Sequence, residues 1–251
     1  MPFIRFVLRF FGLLVATLLV LPFVILFIAI SQKSKNRNLN KRVLNSWSRL
    51  LCAICGLRLI SKGKKHNNPV LIVANHVSWI DIPVIHSYKL AGFVAKAEIS
   101  KWPILGWIVK SGETLFIARG KHESRKKVLQ LIDARLNQGR SIALFPEGKA
   151  TDGEYLAPFH RQLMQAAVET QVPIQAIAIK YINKDGSRNK SIGFKEEETF
   201  IDNVFRILSL PSCTVELNFC DAIETKEMSA RETARITHAQ VAKVLAKNDY
   251  I

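Results

Sequence analysis

The chain has 251 residues and a mass of 28.3 kDa. Apolar residues make up 49% and charged residues 22%, which excludes a disordered low-hydrophobicity chain, and four cysteines in this length exclude a disulfide scaffold. Lys and Arg number 36 against 20 Asp and Glu, a formal charge of +16, yet residues 1–70 alone hold twelve basic residues and no acid. The basic character therefore belongs to the N-terminus, and the remainder of the chain is close to neutral.

Phe10 to Ile30 is an uncharged run broken only by Gly12, Thr17 and Pro22, long enough to cross the hydrocarbon core of a bilayer as a helix. Arg5 and Arg9 precede it, and Lys33, Lys35, Arg37, Lys41 and Arg42 follow. If the segment spans, the positive-inside bias places the rest of the chain on the cytoplasmic side, at the inner membrane in a bacterium. Pro22 would kink the helix or turn it back within one leaflet. Ala29-Ile30-Ser31 resembles a signal-peptidase site, but the apolar run exceeds an ordinary signal core and a basic cluster follows at once, so an uncleaved anchor is expected.

Next, Val43, Leu44, Trp47, Leu50, Leu51, Ile54 and Leu57 recur at helical spacing. This pattern fits an amphipathic helix at an anionic membrane surface, or an ordinary helix facing a core. Cys52 and Cys55 lack the second closely spaced pair of a zinc ribbon, since the other cysteines are Cys213 and Cys220, and all four read as small buried hydrophobes. Ser61 to Pro69 is polar and rich in turn formers, hence a linker. Residues 1–60 are thus expected to be a membrane-anchoring helical segment and 61–251 a separate α/β domain.

Beyond the linker, short apolar runs alternate with helical patterns. The expected strands are 70–74, 92–95, 114–118, 141–145, 174–180 and 214–219; the expected helices are about 81–90, 102–110, 121–138, 160–170 and 229–247. The last begins at the capping box Ser229-Ala-Arg-Glu232. Continuous apolar strands separated by helices predict an α/β fold, a single mixed sheet covered by helices.

Three clusters at strand ends could carry chemistry. Asn75-His76-Val-Ser78-Trp-Ile-Asp81 follows the first strand; a carboxylate there could accept the Nδ1–H of His76, fix its tautomer and leave Nε2 as a base. The bland reading is a capped helix start with a half-buried histidine. Phe145-Pro146-Glu147-Gly148 ends another strand and could present a carboxylate and free backbone N–H groups to a crevice, or be a plain turn with a solvated acid. Arg119, after Phe116-Ile-Ala, suits a phosphate or carboxylate, or a surface ion pair. No GxSxG, GxGxxG, Walker A or HExxH pattern occurs, so a base without a dedicated nucleophile points to activation of a substrate hydroxyl. Lys121–Lys127 reads as a solvated helix face and Glu196–Glu198 as a loop.

In this order these motifs resemble the glycerolipid acyltransferase family, the lysophosphatidic acid O-acyltransferases. The NHxSxxD box is Asn75–Asp81, the second box ends at Arg119, the third is Phe145–Gly148, and the fourth, a VPI strand, is Val172-Pro173-Ile174. Phe93–Glu98 and Trp102–Trp107 also look like bacterial members. The resemblance implies that His76 is the general base for the free hydroxyl of a lysolipid and that Asp81 orients it. The acyl group comes from a thioester of CoA or acyl-carrier protein, with no metal and no bound cofactor. Arg119, Glu147, Gly148, Lys149, Lys96, Asn75 and Ser78 are the implied substrate contacts, although Lys96 equally suits an ion pair with Glu98.

One departure bears on the acceptor. The usual Thr-Arg-Ser after the third box is here Lys149-Ala150-Thr151, followed by Asp152-Gly153, as in the branch that includes lyso-ornithine-lipid acyltransferases. The expected acceptor is 1-acylglycerol-3-phosphate, giving phosphatidic acid, with another lysolipid such as lyso-ornithine lipid as the alternative. A non-catalytic membrane-surface protein would explain the charge but leave four ordered boxes to coincidence. The positive charge adjoins an apolar segment rather than an aromatic platform, so no nucleic acid partner is expected.

Overall fold

In the computed structural model, which describes residues 2–33, 37–101, 114–117 and 122–246, the apolar runs become strands of one sheet. These are β1 (Leu57–Lys62), β2 (Leu71–Ala74), β3 (Gly92–Lys96), β4 (Leu115–Ile117), β5 (Ile142–Leu144), β6 (Ile174–Ile182) and β7 (Cys213–Phe219). Their order across the sheet is β1-β7-β6-β2-β5-β3-β4, with β6–β7 antiparallel and every other neighbouring pair parallel.

Leu71, Ile72, Val73 and Ala74 are all fully buried, because helices cover both faces of the strand. Ile72 and Ala74 join a core with Cys52, Val84, Ile85, Ile207 and Leu208, whereas Leu71 and Val73 join one with Ile132, Ala166, Ala167 and Val241. The first layer comprises α3 (Arg37–Ile54), α4 (Asp81–His86) and α7 (Phe200–Ser209); the second comprises α5 (His122–Asn137), α6 (Gln165–Thr170) and α8 (Ala230–Leu245). Each buried aliphatic side chain contributes ~1.5–3 kcal/mol relative to exposure. The single mixed sheet covered by helices is the expected fold class.

The N-terminal helix runs from α1 (Pro2–Val15) through a π-helical turn (Ala16–Val20) into α2 (Leu21–Lys33). Pro22 gives the reason: its ring crowds the carbonyl one turn earlier and it lacks an N–H, so the helix widens just ahead of it. The Leu21 N–H accordingly reaches back five residues to the Ala16 carbonyl. Residues Pro2–Phe27 are long and apolar enough to cross a membrane, and within that stretch Ala16 and Leu21 alone are buried.

Two elements depart from the sequence reading. Leu57 was expected to continue the amphipathic helix and Ser61 to open a linker, but Leu57–Lys62 is strand β1, paired with β7 across the expected join at 60. Gly56, at φ +78°, ends the preceding helix and turns the chain into the sheet. Helix α7 was not expected; Thr199 caps it, accepting from the Asp202 N–H while Asp202 accepts from the Thr199 N–H. The expected helix at 102–110 lies outside the described residues. Cys52, Cys55 and Cys213 are buried as expected, and burial pushes the Cys55 thiol up to about 12, while Cys220 is half-buried.

Candidate active site

Parallel pairing of β2 with β5, and of β3 with β5 and β4, puts the C-terminal ends of these strands along one edge of the sheet. Such an edge is where α/β sheets gather their sites, because loops leave there with exposed backbone groups. The loop after β2 carries His76, and the loop after the adjacent β5 carries Glu147.

His76 Nδ1 lies 2.8 Å from Asp81 Oδ2. A carboxylate only accepts, so Nδ1 carries a proton, and in the neutral ring this leaves the lone pair on Nε2. The same Oδ2 accepts the backbone N–H groups of Val77 at 2.8 Å and Ser78 at 3.0 Å, and Tyr181 Oη donates to Oδ1 at 2.5 Å. Asp81 is fully buried, whereas 17% of the His76 side chain remains exposed. The imidazole stacks on Phe145 with ring centroids 3.9 Å apart and an 11° tilt. One edge of the ring is thus fixed by Asp81 and one face by the third motif, while part of it stays accessible.

Glu147 was expected to reach the substrate, but its two oxygens look inward. Oε1 accepts the His76 backbone N–H at 2.7 Å and Oε2 accepts the Ala157 N–H at 3.0 Å. Burial pushes this carboxyl up to about 7, against the two N–H donors and His76, which act to lower it. Asn75 is also engaged internally: its amide donates to the Ile179 carbonyl and accepts the Ile179 N–H, extending the β2–β6 ladder by one residue. Ser78 is fully buried and donates to Asn203 Oδ1 on α7 at 3.1 Å. Spacing alone cannot distinguish a carboxylate, amide or hydroxyl that faces a crevice from one that braces the loop around it.

Gly148, at φ +77°, closes the turn through its own N–H to the Phe145 carbonyl, so that N–H is not free for a ligand. Gly148 and Lys149 are both exposed at this rim. Lys96 ends β3 on the same edge, and its side chain lies outside the described residues, as does Arg119 altogether.

Three functional neighbours went unnoticed in the sequence. Tyr181 lies on β6, where it continues past the end of β2. Thr151 donates its N–H to the His76 carbonyl at 2.9 Å, and Asn203 receives Ser78. Tyr181 lies one residue past the expected strand 174–180 and Thr151 ends the altered third motif, whereas Asn203 stands on a helix whose one sequence signal is the Thr199–Asp202 capping pair. Among the described residues, no group of three or more His, Cys, Asp or Glu side chains could hold a metal ion.

A family profile described as Acyltransferase matches residues 56–180. A lyso-ornithine lipid O-acyltransferase of Pseudomonas aeruginosa is 35% identical over 208 residues, 83% of this chain and 79% of its own. A 1-acyl-sn-glycerol-3-phosphate acyltransferase of Neisseria meningitidis is 29% identical over 195 residues, 76% of each chain. Among solved structures, the 1-acyl-sn-glycerophosphate acyltransferase PlsC of Thermotoga maritima shares the fold with a TM-score of 0.77, at 17% identity over 100% of this chain and 98% of that one.

Proposed function

The chain belongs to the acyltransferase family, and from that premise we propose that it moves a fatty acyl group from an acyl thioester to the free hydroxyl of a lysolipid. The observation that carries this reading is the His76–Asp81 contact at 2.8 Å on a partly exposed ring, with every neighbouring bond directed at holding the pair in place.

In this reading His76 Nε2 takes the proton of the acceptor hydroxyl as its oxygen attacks the thioester carbonyl. The C–S bond then breaks, and the imidazolium returns the proton to the leaving thiolate. Asp81 Oδ2 holds the tautomer and offsets the positive charge on the ring as it forms. A positioned base supplies roughly 10²–10⁴-fold, so holding both substrates in register supplies much of the remainder. Gly148, Lys149, Lys96 and Arg119 are the proposed rim around the acceptor head group. Glu147, Asn75 and Ser78 act on it indirectly, through the loop that carries His76. The donor is acyl-CoA or acyl-carrier protein, and no metal or bound cofactor enters the reaction. The N-terminal segment attaches the enzyme to the membrane, with the catalytic domain on the cytoplasmic side.

Two acceptors have specific support. The four ordered boxes and the Neisseria relative favour 1-acylglycerol-3-phosphate. Lys149-Ala150-Thr151-Asp152-Gly153, without the usual arginine, and the Pseudomonas relative favour lyso-ornithine lipid. Purified full-length protein is assayed with an acyl thioester and each lysolipid, beside His76→Ala. We expect ester formation with one of the two and its loss in the variant. Near wild-type turnover in a folded His76→Ala protein would end the proposed mechanism.

A further inference from the structure

Helix α7 has two unlike faces. Asn203, Ile207 and Leu208 are buried against the sheet, while Ile201 and Phe205, one turn apart on the outer side, are 59% and 45% exposed. Large apolar side chains in adjacent turns of a surface helix need an explanation when more of the same surround them. Here α1 lies against α7, with Phe6 and Phe205 edge to face at 5.2 Å and Phe10 at 6.4 Å from the same ring. Arg9 donates to the Leu208 and Leu210 carbonyls, the latter at 2.7 Å, and Arg5 to the Ser209 carbonyl at 3.2 Å. These bonds tie the two helices together. Elsewhere on α1, Phe3 and Phe11 are 74% and 63% exposed, so the apolar surface that begins at Phe205 continues through Phe6 and Phe10 onto α1.

The first turn of α7 touches the catalytic loop. Phe200 packs edge-on against Trp79 at 6.1 Å, and Asn203 holds Ser78. Trp79, an apolar ring with one polar tip, keeps its Nε1–H buried without a hydrogen-bond partner among the described residues.

We infer that α7 is a membrane-contacting helix. Ile201 and Phe205 sit at the head-group boundary of one leaflet, continuous with α1, and place the His76 loop where a lysolipid acceptor can reach it without leaving the bilayer. A lipid leaflet is the occupant rather than a second copy of the chain. The face is continuous with an apolar helix of 26 residues, and that helix and its flanks to residue 70 carry only positive charge, which suits an anionic surface. The inference rests on the proposed function only for the source of the acceptor.

The test uses full-length protein in phosphatidylcholine–phosphatidylglycerol vesicles, with a nitroxide attached at Ile201→Cys in a Cys220→Ser background. A second nitroxide at Glu232→Cys, exposed on α8 across the sheet, is the aqueous control. We expect the label at 201, on vesicles only, to collide with oxygen and to be shielded from a water-soluble nickel chelate, and the label at 232 to stay accessible to nickel. Equal nickel access at the two positions on vesicles would overturn the inference, and shielding at 201 without vesicles would assign the face to a second copy. Independently, Ile201→Asp should lower the rate on vesicle-borne lysolipid about tenfold and leave the rate on a short-chain, monomeric lysolipid unchanged. Equal loss with both acceptors would also overturn it. If neither acceptor is acylated even by the wild type, the proposed function fails, while label depth still decides the lipid contact.

Discussion

The Tyr181 hydroxyl donates to Asp81 Oδ1 at 2.5 Å, from a residue one hundred positions downstream, and both side chains are sealed from water. Burial and the Asp81 charge push the phenol well above its ordinary range, so Tyr181 stays a donor at any working pH. Its bond turns the other carboxylate oxygen toward His76 and draws charge away from it. Tyr181→Phe leaves the ring in place and removes that donor. We expect kcat to fall about tenfold with KM little changed, a smaller loss than the roughly 10²–10⁴ expected on removing the base. Without the donor, Asp81 holds the imidazolium more tightly, so the acid limb of the pH–rate profile should move to higher pH. An unchanged limb in a folded variant would leave Tyr181 a purely structural residue.

Glu147 predicts a pH dependence of stability. Its carboxyl is pushed from the usual 4.5 up to about 7, because burial outweighs the two N–H donors. The unfolded chain therefore releases this proton near pH 4.5, whereas the folded chain keeps it until about 7. The stability the group confers is full below 4.5 and is lost as pH rises through that interval, by ~3 kcal/mol at most. Urea midpoints measured between pH 4.5 and 7.5 should show this decline in the wild type and a shallower one in Glu147→Gln. Parallel curves would refute the raised value.

The parts legible in the sequence are those in which neighbours along the chain decide. Val70–Ala74 and Ile174–Lys180 read as strands because short, mostly apolar runs rich in β-branched residues are what a doubly covered sheet requires, and the His76–Asp81 contact follows from five-residue spacing at a strand end. What was missed depends on distant partners or on competing periods. Leu57 satisfies both a helical stripe and a strand that needs Cys213 on β7 across the sheet, and only the pairing decides. Tyr181 bears on Asp81 because β6 overruns β2, a register that no local pattern shows. Glu147 was recognised as important but assigned the wrong direction, since Phe-Pro-Glu-Gly does not reveal that Ala157 will close over the carboxylate.

Lys149 separates the two acceptors. It is exposed beside the Gly148 turn, next to Ala150, which stands in the place where the usual motif carries arginine. With a phosphate acceptor, Lys149→Ala should raise KM several-fold, the effect of losing about 1 kcal/mol of solvent-screened attraction, and leave kcat nearly intact. With a lyso-ornithine lipid acceptor, whose head group pairs an amine with a carboxylate and carries no net charge, the same variant should change KM much less. Steady-state kinetics on both acceptors give the answer, and no effect on either would remove Lys149 from the rim.

Arg9 is the clasp between the N-terminal helix and the domain. It reaches the carbonyls of Leu208 and Leu210 and the Ser212 hydroxyl, and so neutralises the negative end of α7, where the last carbonyls of a helix lack partners. Arg9→Ala frees those carbonyls and leaves the Arg5–Ser209 hydrogen bond and the contacts of Phe6 and Phe10 with Phe205 between α1 and α7. The cost to the folded domain should be modest, ~1 kcal/mol, because water can replace the guanidinium at a half-exposed site. Local order should suffer more. Amide hydrogens of α1 and of the last turn of α7 should exchange at least tenfold faster in detergent micelles, while those of β2 and β6 keep their rates. Faster exchange throughout the sheet would show instead that α1 is part of the cooperative core, and that the N-terminal segment and the catalytic domain fold as one unit.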